Sequence, residues 1–378
     1  MKSFPHQAAK RWAELVIVGL VISWLGGLGL GNSVPAARAS TNAAIEVAGH
    51  AEHRWTGVAV LANDKIVVNF PRWQPETPIS VGLLDAVSGA IAPYPNAQTN
   101  AWEPGQGLDP ATYWVCVQSV VAGPGGHLFA LDSGRMPGGQ VVAGAPKLVR
   151  IDSVTDTVVH TYLFDESIAT EASYLNDIRF DASGRWGFIT DSGAGALIVL
   201  DLQTGHARRL LAGHPSVMAE EIDVMIDGAA FRQRGQRPQI HADGIAVDGI
   251  RGWVYWQALT ARTLYRLPIA ALIDPDLSQK ALAARIERVA EVGPSDGLEI
   301  DTQGRVYLTS IEHNAVRRWT PDGGIEMVAH HPRLSWPDSL AWGQDGSLYV
   351  TATQIHRGPA AQKPFELFRI PAGVVRGE

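Results

Sequence analysis

One cysteine, Cys116, is all the chain has, which excludes an internal disulfide framework. It sits in the apolar stretch Tyr113–Val117 with no cation beside it in sequence, so a buried, inert thiol is expected rather than a nucleophile. Gly-x-Ser-x-Gly, His-Glu-x-x-His and Cys-x-x-Cys are all missing, which leaves serine-hydrolase and zinc chemistry without a carrier. No basic stripe appears either. With a formal charge of −7 and a pI near 5.9, a nucleic-acid surface is excluded, and Arg317-Arg318 reads as an exposed strand face. Helical periodicity is scarce: only Leu277 to Arg288 combines apolar residues at helical spacing with good helix formers.

What is abundant is turn and strand material, with 39 Gly, 23 Pro and 12 Trp in 378 residues. The stretch Tyr174–Gly193, YLNDIRFDASGRWGFITDSG, is a β-hairpin turning at Asp181–Gly184. Looser versions open at Thr56, Ser119, Asp243, Asp296 and Asp338. Each has a polar residue, a small residue, an apolar strand, a Gly-containing turn and a second strand ending in polar residues. A repeat of roughly 40 to 70 residues built from strands marks a radial β array. Six hairpins predict an all-β, six-bladed β-propeller over residues 54–371, with Leu277–Arg288 as a short helical insertion. A β-sandwich is the rival, but it gives no reason for the hairpins to resemble one another. Ring closure requires the last strands to pair with N-terminal chain near Ile45–Ala48.

The ends fall outside this pattern. Residues 1–39 read as a signal peptide, with Lys2, Lys10 and Arg11 before the apolar run Leu15–Leu30 and Ala37-Arg38-Ala39 before Ser40. The run approaches membrane-spanning length, so an uncleaved anchor is the alternative. The glycines of Gly27–Gly31 belong to this leader and carry no dinucleotide meaning. Residues 40–53 form a lead-in and 372–378 a C-terminal tail; the expected location is secreted or periplasmic, with no membrane contact after cleavage.

Propeller geometry brings two sets of polar residues to one mouth of the channel. Strand openers are Thr56, Ser119, Asn176-Asp177, Asp243, Asp296 and Asp338. Strand enders are Asn69, Asp132, Asp191, Gln257, Ser310 with Glu312 and His313, and Thr351 with Gln354 and His356. Arg54, Arg72, Trp73, Arg135, His241 and Trp336 stand beside them. An Asp ahead of a strand often only ties the adjoining turn. Taken jointly, polar groups converging on a concave mouth make a binding site for a small molecule. Crowded carboxylates there call for a hard cation or a neighbouring Arg.

The ordered set HRWTGVAV, VNFPRW, PYPN, CVQSVV, ALDSG, YLNDIRFD, ITDSG, HADGIAVD, LYRLP and WPDSLAW resembles the Yellow/major royal jelly protein family from Arg54 to Pro371. The resemblance implies a secreted six-bladed propeller whose channel takes small polar or aromatic ligands, aromatic amines in some members, with dopachrome-tautomerase-like isomerisation attached to part of the lineage. The single cysteine departs from insect members, so their disulfides do not carry over. A more distant similarity is to the regucalcin/gluconolactonase family, metal-dependent lactonases. Asp296 and Asp243 look like their metal-binding Asp and Asn, and Asn176 like their substrate-facing Asn. A divalent cation (Ca²⁺, Mg²⁺ or Mn²⁺) on Asp243 and Asp296 is what that similarity implies. Its metal-binding Glu has no counterpart at Arg54-Trp55-Thr56-Gly57. Three readings stay open: a ligand-binding isomerase with Asp243, Asp296 and Asn176 as catalytic groups, a metal-dependent lactonase using the same residues, and a non-catalytic interaction platform.

Overall fold

The computed structural model describes residues 45–74, 77–136 and 138–376. The expected signal segment 1–39 lies outside them. Six four-stranded antiparallel sheets form the blades, and a two-stranded hairpin lies outside them. The innermost strands are Val58–Val60, Val117–Ala122, Leu175–Phe180, Ala242–Asp248, Ser295–Ile300 and Pro337–Trp342, numbered blades 1 to 6 in that order. Ring closure follows the expectation. Glu46–Ala51 is the outermost strand of blade 6 and pairs with Phe365–Ile370, from Glu46 opposite Arg369 to Ala51 opposite Phe365.

Sequence and packing connect through the middle strands. Ala196–Asp201 (ALIVLD) is buried at every position, because both of its faces meet a neighbouring blade. Such strands read as unbroken apolar runs. The six largest apolar clusters each lie between adjacent blades: Phe188 and Val199 of blade 3, for example, pack against Ile245, Val254 and Trp256 of blade 4. No blade can bury its faces alone, so the ring folds as one array.

In five of the six blades the inner strand opens with a polar residue and then a small one, blade 3 having Asn176-Asp177 instead, and crowding explains the pair. A Cβ on Gly244 would lie 2.4 Å from the Asp296 carbonyl, and one on Gly297 would lie 2.3 Å from that of Asp338. The inner strands of blades 4, 5 and 6 touch backbone to backbone at this level, which presses their opening carboxylates together.

Two readings are corrected. The helix expected over Leu277–Arg288 is only Gln279–Ala283, capped by the Ser278 side chain, with a separate helix at Ile269–Ile273. Glu287–Glu291 is instead the outer strand of blade 4, where pairing with Thr263–Pro268 overrides local helix preference. Arg318 is buried rather than exposed, its Nε donating to Glu326 Oε2 at 2.6 Å. Beyond Pro371 the chain continues as the helix Ala372–Arg376, whose Val375 enters the blade 5–6 core. No helix of the described residues is long and apolar enough to cross a membrane.

Candidate functional site

The ring position has one residue per blade: Thr56, Gln118, Asn176, Asp243, Asp296 and Asp338. Gln118, Asn176 and the three aspartates line one cavity of about 420 Å³, together with Trp73, Arg135, Tyr174, Ile240, Trp336 and Ile355. Thr56 is withdrawn: its hydroxyl donates to the Gln118 carbonyl at 2.9 Å and accepts from Asn69. Half of the ring is therefore acidic and half is neutral.

Hydrogen bonds order the neutral half into a chain. Trp73 Nε1 donates to the Tyr174 hydroxyl at 2.8 Å, which donates to Gln118 Oε1 at 2.7 Å. In the acidic half, Asn176 Nδ2 donates to Asp243 Oδ1, and Trp336 Nε1 donates to Asp296 Oδ2 at 2.6 Å. Asp338 accepts from Ser339 at 3.2 Å. Among the described residues, none of the three has an ion-pair partner. Burial first, then the Asp296 and Asp338 charges, push Asp243 well above the ordinary carboxylate range. Asp338 moves the same way, through burial and then Asp296. Asp296 is pushed up to about 6 by burial, held back by the bonds from Trp336 and Asp243. Asp243 and Asp296 share a hydrogen bond, so they titrate as a pair.

Trp336 is an anchor under strain. It is fully buried with φ +54°, a left-handed conformation that a bulky side chain adopts at a cost of order 1–3 kcal/mol. Phe231 packs edge-on to its ring at 4.9 Å, and His356 stacks on it at 5.9 Å. Phe231 follows the hairpin Met225–Ile226/Ala229–Ala230, an excursion from the chain between blades 3 and 4. Asp227 at the hairpin tip ties it to Asn314, His356 and Arg357 of blades 5 and 6.

Of the residues singled out from sequence, the cavity collects Asn176, Asp243, Asp296, Asp338, Trp73, Arg135 and Trp336. The others stand elsewhere. Asp132 accepts from the Val115, Cys116 and Gly134 amides and pairs with Lys147 at 2.8 Å. Asp191 accepts from the Tyr174, Gly193 and Ala194 amides and pairs with Arg209 at 2.7 Å. Arg54 donates to the Thr353 and Gly358 carbonyls, and Arg72 to those of Val115 and Thr77. His241 accepts from the Ala219 amide; Glu312 pairs with Arg262 and His313 bonds Ser310. Asp177 lies one step further along the channel, paired with Arg179 at 2.7 Å. Cys116 is fully buried, its thiol pushed up to about 12 by burial and then by Asp132.

Gln118 and Tyr174 were missed. Matching small residues rather than acids would have found Gln118, since Gln118-Ser119 aligns with Asp338-Ser339 and Asp296-Gly297. Tyr174 precedes Asn176 by two positions, as Trp336 precedes Asp338.

Among the described residues no group of three or more His, Cys, Asp or Glu is arranged to hold a metal. The carboxylates of Asp243 and Asp296 are turned to N–H donors and to each other. What they can do is receive a cationic group, or pass a proton between a protonated and an ionised member.

The family described as Major royal jelly protein matches residues 115–367. No curated protein sequence matches the chain. Among solved structures, a gluconolactonase from Xanthomonas campestris superposes with a TM-score of 0.54 at 13% identity, covering 87% of this chain and 90% of that one. A luciferin-regenerating enzyme gives 0.54 at 11% identity, covering 87% and 95%. A PQQ-bound aldose sugar dehydrogenase from Streptomyces coelicolor gives 0.51 at 10%, covering 89% and 99%. At such identities the likeness is one of fold alone.

Proposed function

The chain belongs to the major royal jelly protein family, and from that membership and the cavity we propose that it binds a small aromatic ligand carrying an amine. One observation carries the reading: three carboxylates, buried and, among the described residues, without an ion-pair partner, stand in a cavity with Trp73, Tyr174 and Trp336 on its walls. An ammonium group would relieve the charge that burial makes costly, and the ring would lie on aromatic and apolar surface. The cavity volume suits one such molecule. The test is calorimetric titration with tryptamine and with indole-3-propionate, which share a ring system and carry opposite charge. Tryptamine is expected to bind, and Asp296→Asn to weaken it by about tenfold or more. Equal binding of the acid would remove the reading.

The paired carboxylates favour a second step at the same site, isomerisation of the dopachrome-tautomerase kind. Ionised Asp243 or Asp296 takes a proton from a ring carbon, and its protonated partner gives one to the quinone-type oxygen. The electron pair of the broken C–H bond moves through the ring, so no oxidant or reductant enters. Deuterium uptake at that carbon in D₂O, abolished in Asp243→Asn, is the expected result. No uptake above the uncatalysed rate would leave binding as the whole function. Export belongs to the same proposal, and the mature chain is expected to begin at Ser40 by N-terminal sequencing.

A further inference from the structure

The channel has a second mouth, which the ligand site above does not use. Its floor is an ion network laid across the ring. Arg179 of blade 3 donates from Nη1 to Asp177 at 2.7 Å and from Nη2 to the Leu298 carbonyl of blade 5 at 3.0 Å. Ser119 donates to the same Asp177 oxygen at 2.8 Å. Glu299 accepts from the Ile300 amide at 2.9 Å, and its Oε2 lies 3.5 Å from Arg179 Nε. That N–H makes no hydrogen bond although Arg179 is only 9% exposed. The nitrogen has no exposed surface and faces the Glu299 carboxylate, so this pair belongs to the floor and not to the open cavity.

Above this floor opens a cavity of about 610 Å³, lined by Ser119, Asp177, Arg179, Glu299 and Ser339, with Phe180 and Trp342 on its wall. Both aromatic rings are partly exposed. Charge narrows the occupant. An anion would face Asp177 and Glu299, and a cation would face Arg179. What suits a floor of mixed donors and acceptors beside aromatic faces is a neutral molecule rich in hydroxyl groups. Its O–H groups can donate to the carboxylates and accept from the guanidinium, while its C–H faces lie on Phe180 and Trp342.

We propose that this second mouth is a separate binding site for a neutral polyhydroxylated ligand of one or two sugar rings, floored by the Asp177–Arg179–Glu299 network. It stands independently of the amine site on the other side of that network.

Arg179 is too deeply built in to test alone, so the informative variants lie on the rim and in the other cavity. Ala122 is exposed and lines the second mouth, so Ala122→Trp narrows it without touching the core. Saturation-transfer NMR and calorimetry with glucose, mannose, galactose, arabinose and mannitol should find at least one binder at roughly millimolar affinity or better. That binding should be lost in Ala122→Trp, weakened in Glu299→Gln and unchanged in Asp296→Asn. Gluconate and glucosamine should bind about tenfold or more weakly than their neutral parent. No binding by any of the five, binding that survives Ala122→Trp, or a preference for either charged analogue would overturn the proposal.

Discussion

Two sets of buried aspartates sit within the same disc and behave in opposite ways. Asp132 and Asp191, at the ends of second strands, are wrapped by backbone amides and matched by Lys147 and Arg209. Asp243, Asp296 and Asp338, at the openings of first strands, are equally buried but meet amide and indole donors and one another. Asp191 is held below the ordinary carboxylate range: burial alone would raise it, and Arg209 with the surrounding N–H groups outweighs that. Asp243 and Asp338 are driven well above it. Burial does not make an aspartate functional. A partner of opposite charge makes it a structural tie, and the lack of one leaves an electrostatic demand that a ligand can meet.

The comparison breaks most visibly at the structural set. Asp132→Ala would leave Lys147 charged in a site with no exposed surface, and breaking such a pair costs about 3–5 kcal/mol. Urea denaturation should show that loss, and a cost under about 1 kcal/mol would mean the pair is not the tie described. Next in size is the strand crowding that forces the acidic set together. Gly297→Ala places a methyl group 2.3 Å from the Asp338 carbonyl, with an expected cost of about 1–3 kcal/mol.

The ligand-facing set should respond with the opposite sign. A carboxyl whose folded pKa is raised binds its proton more tightly in the native state. The stability it lends is present at low pH and is lost as pH rises from the ordinary 3.8 through the raised folded value. Asp338→Asn removes that loss, so it should stabilise the empty protein at pH 8 by about 1 kcal/mol and have little effect near pH 4. Thermal melting at both pH values checks it. The smallest effect concerns metal: saturating Ca²⁺, Mg²⁺ or Mn²⁺ should leave the melting temperature of the wild type unmoved, and a rise lost in Asp296→Ala would restore the lactonase reading.

Much of this was legible in the sequence because repetition encodes it. Hairpins that cannot bury their own faces specified a ring, and ring closure required the pairing of Glu46–Ala51 with Phe365–Ile370. The acidic openers and Trp336 were likewise visible as repeated positions. Reading the ring by charge pulled Asp177 into it, whereas Asn176 shares the cavity with the acidic openers and Asp177 faces the other one. The second-strand aspartates shared residue type and position with a plausible site, but their partners Lys147 and Arg209 come from other strands of the blade. Pairing across strands, rather than neighbours in sequence, separates the two sets. The same cause hid the outer strand Glu287–Glu291 behind a helical pattern.

The central claim, that the channel-mouth carboxylates are held in an unrelieved state that a ligand can answer, is tested most directly by titrating them. Carboxyl-¹³C-labelled aspartate, assigned through single Asp→Asn variants, would be followed by NMR in the empty protein. Asp191 is expected to ionise below 3.8, whereas Asp243 and Asp338 keep their protons well above it and Asp296 titrates near about 6 as the partner of Asp243. Ionisation of all four together near 3.8 would contradict the account, because the two sets would then differ in geometry without differing in charge.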